Sequence, residues 1–153
     1  MNKLLYMTLG AAITVVFFWL ACSSNAEINI FDRVYYNAQF NDQVYSNSLY
    51  PMIAAIMGIM SWGGAAVYYY VINSVNFDRW YHWAGVLVVV TLLTPIICYF
   101  FINSSLASVG VDMSGATMQF VIRLMIITAV LFVVASFSMR WWSSNCRHTP
   151  FPQ

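Results

Sequence analysis

An ionisable side chain inside an apolar run is where chemistry would concentrate in this chain. The stretch TMQFVIRLMIITAV, Thr117 to Val130, carries Arg123 in otherwise hydrocarbon-like company. A charge at such a position is costly and marks an ion or proton path, a substrate site or a subunit contact. Gln119 lies four residues before Arg123 and Asp112 eleven before. If one helix extends back that far, the three form a single polar face. Beyond Arg123 the same face continues as Ile126, Ile127, Val130 and Val134. The polar strip therefore covers half a bilayer, whereas a continuous path needs polar groups through both leaflets. Arg123 is expected ~9 Å below Thr117, with its side chain tilted toward the helix N-terminus and free to snorkel outward. Its expected partners are loop carbonyls, an acid of the first loop (Glu27, Asp32 or Asp42), or an acid on another subunit.

Other residue types argue against most chemistries. A haem needs facing histidines within the spans, but the two histidines are His82, at a span edge, and His148, in the tail. Metal hydrolysis needs clustered His, Asp and Glu, and no acid falls in a span core. Nothing in the spacing around His82 suggests a Ser-His-Asp set. The glycines of WGGAA lie inside a span with no following lysine, so they do not form a phosphate loop. Cys22, Cys98 and Cys146 form no CxxC pair and read as free small hydrophobes; a Cys22–Cys98 disulfide is the alternative. His82 in DRWYHW reads as an interfacial anchor beside Trp80 and Trp83, with pH sensing as its alternative role. No catalytic, cofactor or metal site is expected.

The elements that hold these residues follow from composition. Of 153 residues, 61% are hydrophobic and 7% charged, against about 25% charged in a soluble domain. A chain this short cannot hide that much apolar surface from water, so a bilayer must take it. The net charge of +1 gives no basis for nucleic-acid binding, and no small-molecule substrate is identifiable. Four runs reach the ~20 residues needed to cross hydrocarbon. They cover about 4–21, 51–72, 79–102 and 115–139, with an outer loop at 22–50. Ser48 and Asp78 are placed to cap the second and third, and Pro51 falls in a first turn. The fold class is all-α integral membrane, in one domain of four transmembrane helices. Lys3, Arg79, Arg140 and Arg147 fall on one side if both termini are cytoplasmic, which gives N-in, C-in. A bacterial inner membrane is the expected location. The first 24 residues also resemble a signal peptide ending in LAC, which would be cut at Cys22. A retained first helix is the preferred reading, because its apolar run is long for a signal and Trp19 sits where a lipoprotein box wants Leu.

Packing and docking signals complete the picture. In the first outer loop, Phe31, Val34, Tyr35 and Ala38 fall at the spacing of one helical face, opposite Arg33, Asn37 and Gln39. That predicts a short interfacial helix, a cap over the bundle or a docking surface. Phe31, Tyr35, Tyr36, Phe40 and the midplane Trp62 are the partner-contact candidates. Ala54, Gly58, Ser61 and Ala65 form a small-residue seam that lets helix backbones approach. Pro95 should kink the third span, with Thr91 and Thr94 compensating freed carbonyls. Together these features predict a non-catalytic anchor or scaffold subunit of an envelope complex of secretion, transport or motor type. Its partners would be the lipid bilayer and other membrane subunits, hetero- or homo-oligomeric. The alternative is a small oligomeric channel or transporter with its pore between copies.

Overall fold

Long runs of Leu, Ile, Val, Phe and Met can enter hydrocarbon only if every backbone group is bonded within the segment, and helices meet that demand. The computed structural model describes residues 3–150, which are all-helical with no strand among them. The helices are α1 (Lys3–Ala21), α2 (Ile30–Val34), α3 (Ala38–Ser46), α4 (Leu49–Ala66), α5 (Trp80–Ser108) and α6 (Ser114–Met139). Helices α1, α5, α4 with its continuation to Ile72, and α6 with its continuation to Trp142 are long and apolar enough to cross a membrane. Helix α6 is central and packs against the other three.

The boundaries differ from expectation where local bonding decides them. Helix α5 runs past Ile102 to Ser108 because its polar end satisfies itself. The Ser105 hydroxyl donates to the Phe101 carbonyl at 2.9 Å, and Leu106 is buried. Gly110, at φ 77°, then ends the helix, and the Val111 N–H returns to the Leu106 carbonyl at 3.0 Å. Asp78 does not cap α5; Arg79 holds the N-cap position without a side-chain bond. Ser48 likewise makes no capping bond and sits at φ 52°. Around Pro95 the α5 helix is unbroken. The Thr94 hydroxyl donates to the Val90 carbonyl at 2.8 Å, whereas the Thr91 hydroxyl has no partner.

The small-residue seam faces inward. Ala54, Gly58, Ser61 and Ala65 are all buried. The Ser61 hydroxyl points at the Thr128 carbonyl of α6, 3.4 Å away. A Cβ on Gly58 would lie 2.9 Å from the Phe18 ring of α1. The closest approach at a glycine is between α1 and α6, where a Cβ on Gly10 would stand 1.8 Å from Ser138 Oγ and 2.9 Å from its Cβ. In hydrocarbon such contacts hold helices together, because apolar burial offers little difference between lipid and protein.

The end of the bundle that carries both chain ends is closed by the C-terminal segment. Lys3 Nζ lies 5.8 Å from the Trp142 ring centre. Helix α4 continues as a π-helical stretch from Val67 to Ile72, and the Asn73 N–H closes it on the Tyr68 carbonyl at 3.2 Å. Asn73, at φ 29°, then grips the tail. Its Oδ1 accepts from the Ser143 hydroxyl at 2.8 Å and the Asn145 N–H at 3.0 Å, and its Nδ2 donates to Ser144 Oγ at 2.9 Å. Tyr68 donates to the Phe77 carbonyl at 2.7 Å, and Cys146 is buried between them, its thiol pushed up by that burial. All three cysteines are free, with Cys22 exposed and Cys98 buried.

Two glycines separate close packing from open space. Gly10→Ala should destabilise the folded chain by about 1–3 kcal/mol through overpacking against Ser138. Gly63→Ala meets nothing within 4 Å and should be neutral or stabilising by up to about 1 kcal/mol. Thermal unfolding of the two variants in one detergent checks the pair.

Candidate functional site

The most densely bonded polar cluster lies in the cap that α2 and α3 form over the other end of the bundle. It is built from Asn29 upward. Asn29 is fully buried. Its Oδ1 accepts from the Phe31 N–H at 2.8 Å, which starts α2. Its Nδ2 donates to the Ala21 and Ser23 carbonyls at 3.1 and 2.9 Å, which fastens α2 to the end of α1. Helix α2 lasts only five residues, and the chain is extended at Tyr35 and Asn37 before α3. The single helical face expected through Ala38 is therefore split between two short helices, because Asn37 caps a new one by accepting from the Phe40 N–H at 3.2 Å.

Asp32 lies at the centre of this cap, 5% exposed. Its Oδ1 accepts from Asn41 Nδ2 at 2.6 Å and from the Tyr50 hydroxyl at 2.7 Å. Its Oδ2 accepts from the Tyr45 hydroxyl at 2.6 Å. Bonds from neutral donors to a carboxylate are short and strong, and three of them replace much of the water lost on burial. Burial, then the bond to Asp32, raises the Tyr45 phenol above its ordinary value of 10.0. Asn41 and Tyr45 stand one turn apart on α3, so a single face of that helix serves one acid.

Arg123 reaches the same cap from below. Its Nη1 donates to the Val34 carbonyl at 3.0 Å, at the end of α2. Its guanidinium carbon lies 4.8 Å from the centre of the Tyr35 ring, within cation–π range. Among the partners foreseen, a loop carbonyl is the one met; Asp32 takes the tyrosines instead. Gln119 and Arg123 are both exposed on α6, one turn apart. Asp112 does not join them. It precedes α6, which starts at Ser114, and its Oδ1 accepts from the Ser114 N–H at 3.1 Å. The three-residue polar face is thus a pair, and below it Ile126 and Val130 are exposed and apolar.

The partner-contact candidates separate by burial. Phe31 and Phe40 are fully buried, and Tyr35 nearly so, against Phe120 of α6. They form the core beneath the cap and present no surface. Tyr36 is 73% exposed. Trp62 lies between α4 and α1, its indole N–H donating to Thr14 Oγ1 at 3.1 Å. His82 packs between Phe77 and Tyr81, ring centres 4.7 and 4.3 Å away.

Sequence reasoning missed Asn29 and Asn73, the two side chains that fasten the loops. The only signal for Asn29 was an Asn two residues before Phe31 at a helix start, which fits several roles. Among the described residues no three His, Cys, Asp or Glu side chains gather as a metal site. The cap can hold a shape and offer exposed side chains; its acid is already fully engaged. No protein-family model, curated protein or solved structure matches the chain.

Removing the acid tests the cap. Asp32→Ala leaves two buried donors and the half-buried Tyr45 hydroxyl without their acceptor and should cost about 3 kcal/mol. Fast amide exchange across 25–47, with the spans still protected, is the expected readout. The Tyr45 shift adds a pH dependence. A phenol raised on folding contributes stability that is complete below its ordinary value of 10.0 and is lost as pH rises beyond it. Cap protection should therefore fall above that pH in the parent chain and fall less in Tyr45→Phe.

Proposed function

We propose that this chain is a non-catalytic membrane subunit, an anchor or scaffold inside a larger envelope complex of secretion, transport or motor type. The observation that carries the reading is how polar side chains are used. Ser61, Thr94, Thr128 and Ser136 are buried inside the bundle. Thr14 serves Trp62, and Arg123 serves the cap. The outward walls are aliphatic, with Leu9, Ile13 and Val16 on α1 and Val89, Leu92 and Ile96 on α5 exposed. Walls of that kind suit lipid or other apolar helices. A pore between copies would want a polar wall through both leaflets, and Gln119 with Arg123 supplies half of one.

The chain would lie in a bacterial inner membrane with both termini cytoplasmic. Lys3, Arg79, Arg140 and Arg147 belong to the end that carries the chain termini, as the distribution of basic residues favours. Helices α2 and α3 would then lie at the outer interface, held by Asp32 and Arg123 so that Tyr36 stands on an ordered surface. An ordered anchor loses little entropy on docking, which suits a subunit contact.

A photo-crosslinking residue in place of Tyr36, in the full chain and in native membranes, tests the proposal. One heterologous membrane-protein adduct of reproducible mass is the expected result. Adducts only between copies, together with ion flux through the purified chain in liposomes, would replace it with the channel reading.

A further inference from the structure

A groove of about 710 Å³ opens between α4 and α5 in the half of the bundle nearest the chain ends. Its walls are aliphatic, from Ile59 to Val90, and it ends among Phe77, Tyr81 and His82. Gly63, Gly64 and Gly85 line it. Glycine inside a helix costs roughly 1 kcal/mol relative to alanine, so it calls for a reason. Gly64 has one within the chain, since its Cβ would fall 2.5 Å from Val90 Cγ2. Gly63 and Gly85 have none: a Cβ at either would meet no heavy atom within 4 Å. The space they leave is not filled by this chain.

Two further observations identify the occupant. The groove follows α5 from Tyr81 to Val90, a rise of ~14 Å against ~15 Å for half the hydrocarbon thickness. Arg79, exposed in the turn just before α5 and beside exposed Asp78, brings a cation to headgroup depth. We infer that the groove holds one phospholipid of the leaflet on the side of the chain ends. One acyl chain lies along Gly63 and Gly85, and Arg79 meets the phosphate. The inference requires that the chain spans a bilayer. It does not depend on the scaffold reading.

The test is native mass spectrometry of the full chain, delipidated in mild detergent and titrated with phosphatidylglycerol. The expected result is one tightly held lipid per chain. The Gly63→Leu/Gly85→Leu double variant should weaken it tenfold or more, with helical content kept and thermal unfolding no lower than in the parent. Arg79→Gln should weaken it several-fold, and unchanged binding in that variant removes the headgroup contact. Gly115→Leu, equally open but outside the groove, should leave it unchanged. Equal lipid retention in the double variant overturns the inference, as does equal loss in Gly115→Leu. A dimer that the double variant converts to monomer, with no lipid bound to the parent, also overturns it and makes the occupant a second copy. A missing heterologous adduct at Tyr36 would end the scaffold reading and leave the lipid count untouched.

Discussion

A buried carboxylate must be surrounded by donors, and the donors then lose their freedom to be elsewhere. Asp32 imposes that condition on the cap. Asn41 and Tyr45 satisfy it from α3, and Tyr50 from the first turn of α4. Three elements are thus drawn to one point. With α2 fixed in this way, its last carbonyl and the Tyr35 ring stand where Arg123 can reach them. The arginine could not choose this position alone, because an isolated helix of five residues is unstable in water. The order of dependence therefore runs from the acid to α2, and from α2 to the guanidinium. The aromatic cluster of Phe31, Tyr50 and Phe120 fills the space beneath.

The two ends of the bundle solve the same closing problem with different chemistry. At the cap end the central acceptor is an acid, and two tyrosine hydroxyls and the Asn41 amide supply the donors. At the other end Asn73, a neutral side chain, both donates and accepts across to the tail. Between them the helices touch through missing or small side chains, at Gly10, Gly58 and Gly64. Polar bonding at the ends and close steric contact in the middle is the division expected where water is present only at the ends.

The spans were legible in the sequence because their signal is compositional and long. The second to fourth exceed the bilayer requirement and the first comes close to it, so an error of a residue or two at an end does not change the element. The small-residue seam was legible for a similar reason, since its spacing of four, three and four has few readings other than a buried helix face. The cap was not. Its helices are too short for periodicity to register, and the regular spacing of Phe31, Val34, Tyr35 and Ala38 suggested one helix where Asn37 starts a second. Exposure of the aromatics was also illegible, since Phe40 and Tyr36 belong to the same loop and differ only in which way the chain turns after α2. Asp112 and Arg123 share a helical phase on paper, but the turn at Gly110 places Asp112 before α6. Which acid would be buried could not be read either, because Asp32 is selected by three residues that lie 9, 13 and 18 positions further on.

The π-helical stretch at Val67–Ile72 has a consequence for how this chain could change its length. An i→i+5 turn carries one residue more than the α-helix around it, so the stretch resembles an insertion that the later structure has absorbed. Tyr68 and Tyr69, adjacent in sequence, are both fully buried there. Losing one residue from this turn would leave α4 and its seam undisturbed. The turn would close to an α-helical one, and Asn73 would still face Ser143 and Asn145. At this turn the chain can shed a residue without releasing its last segment.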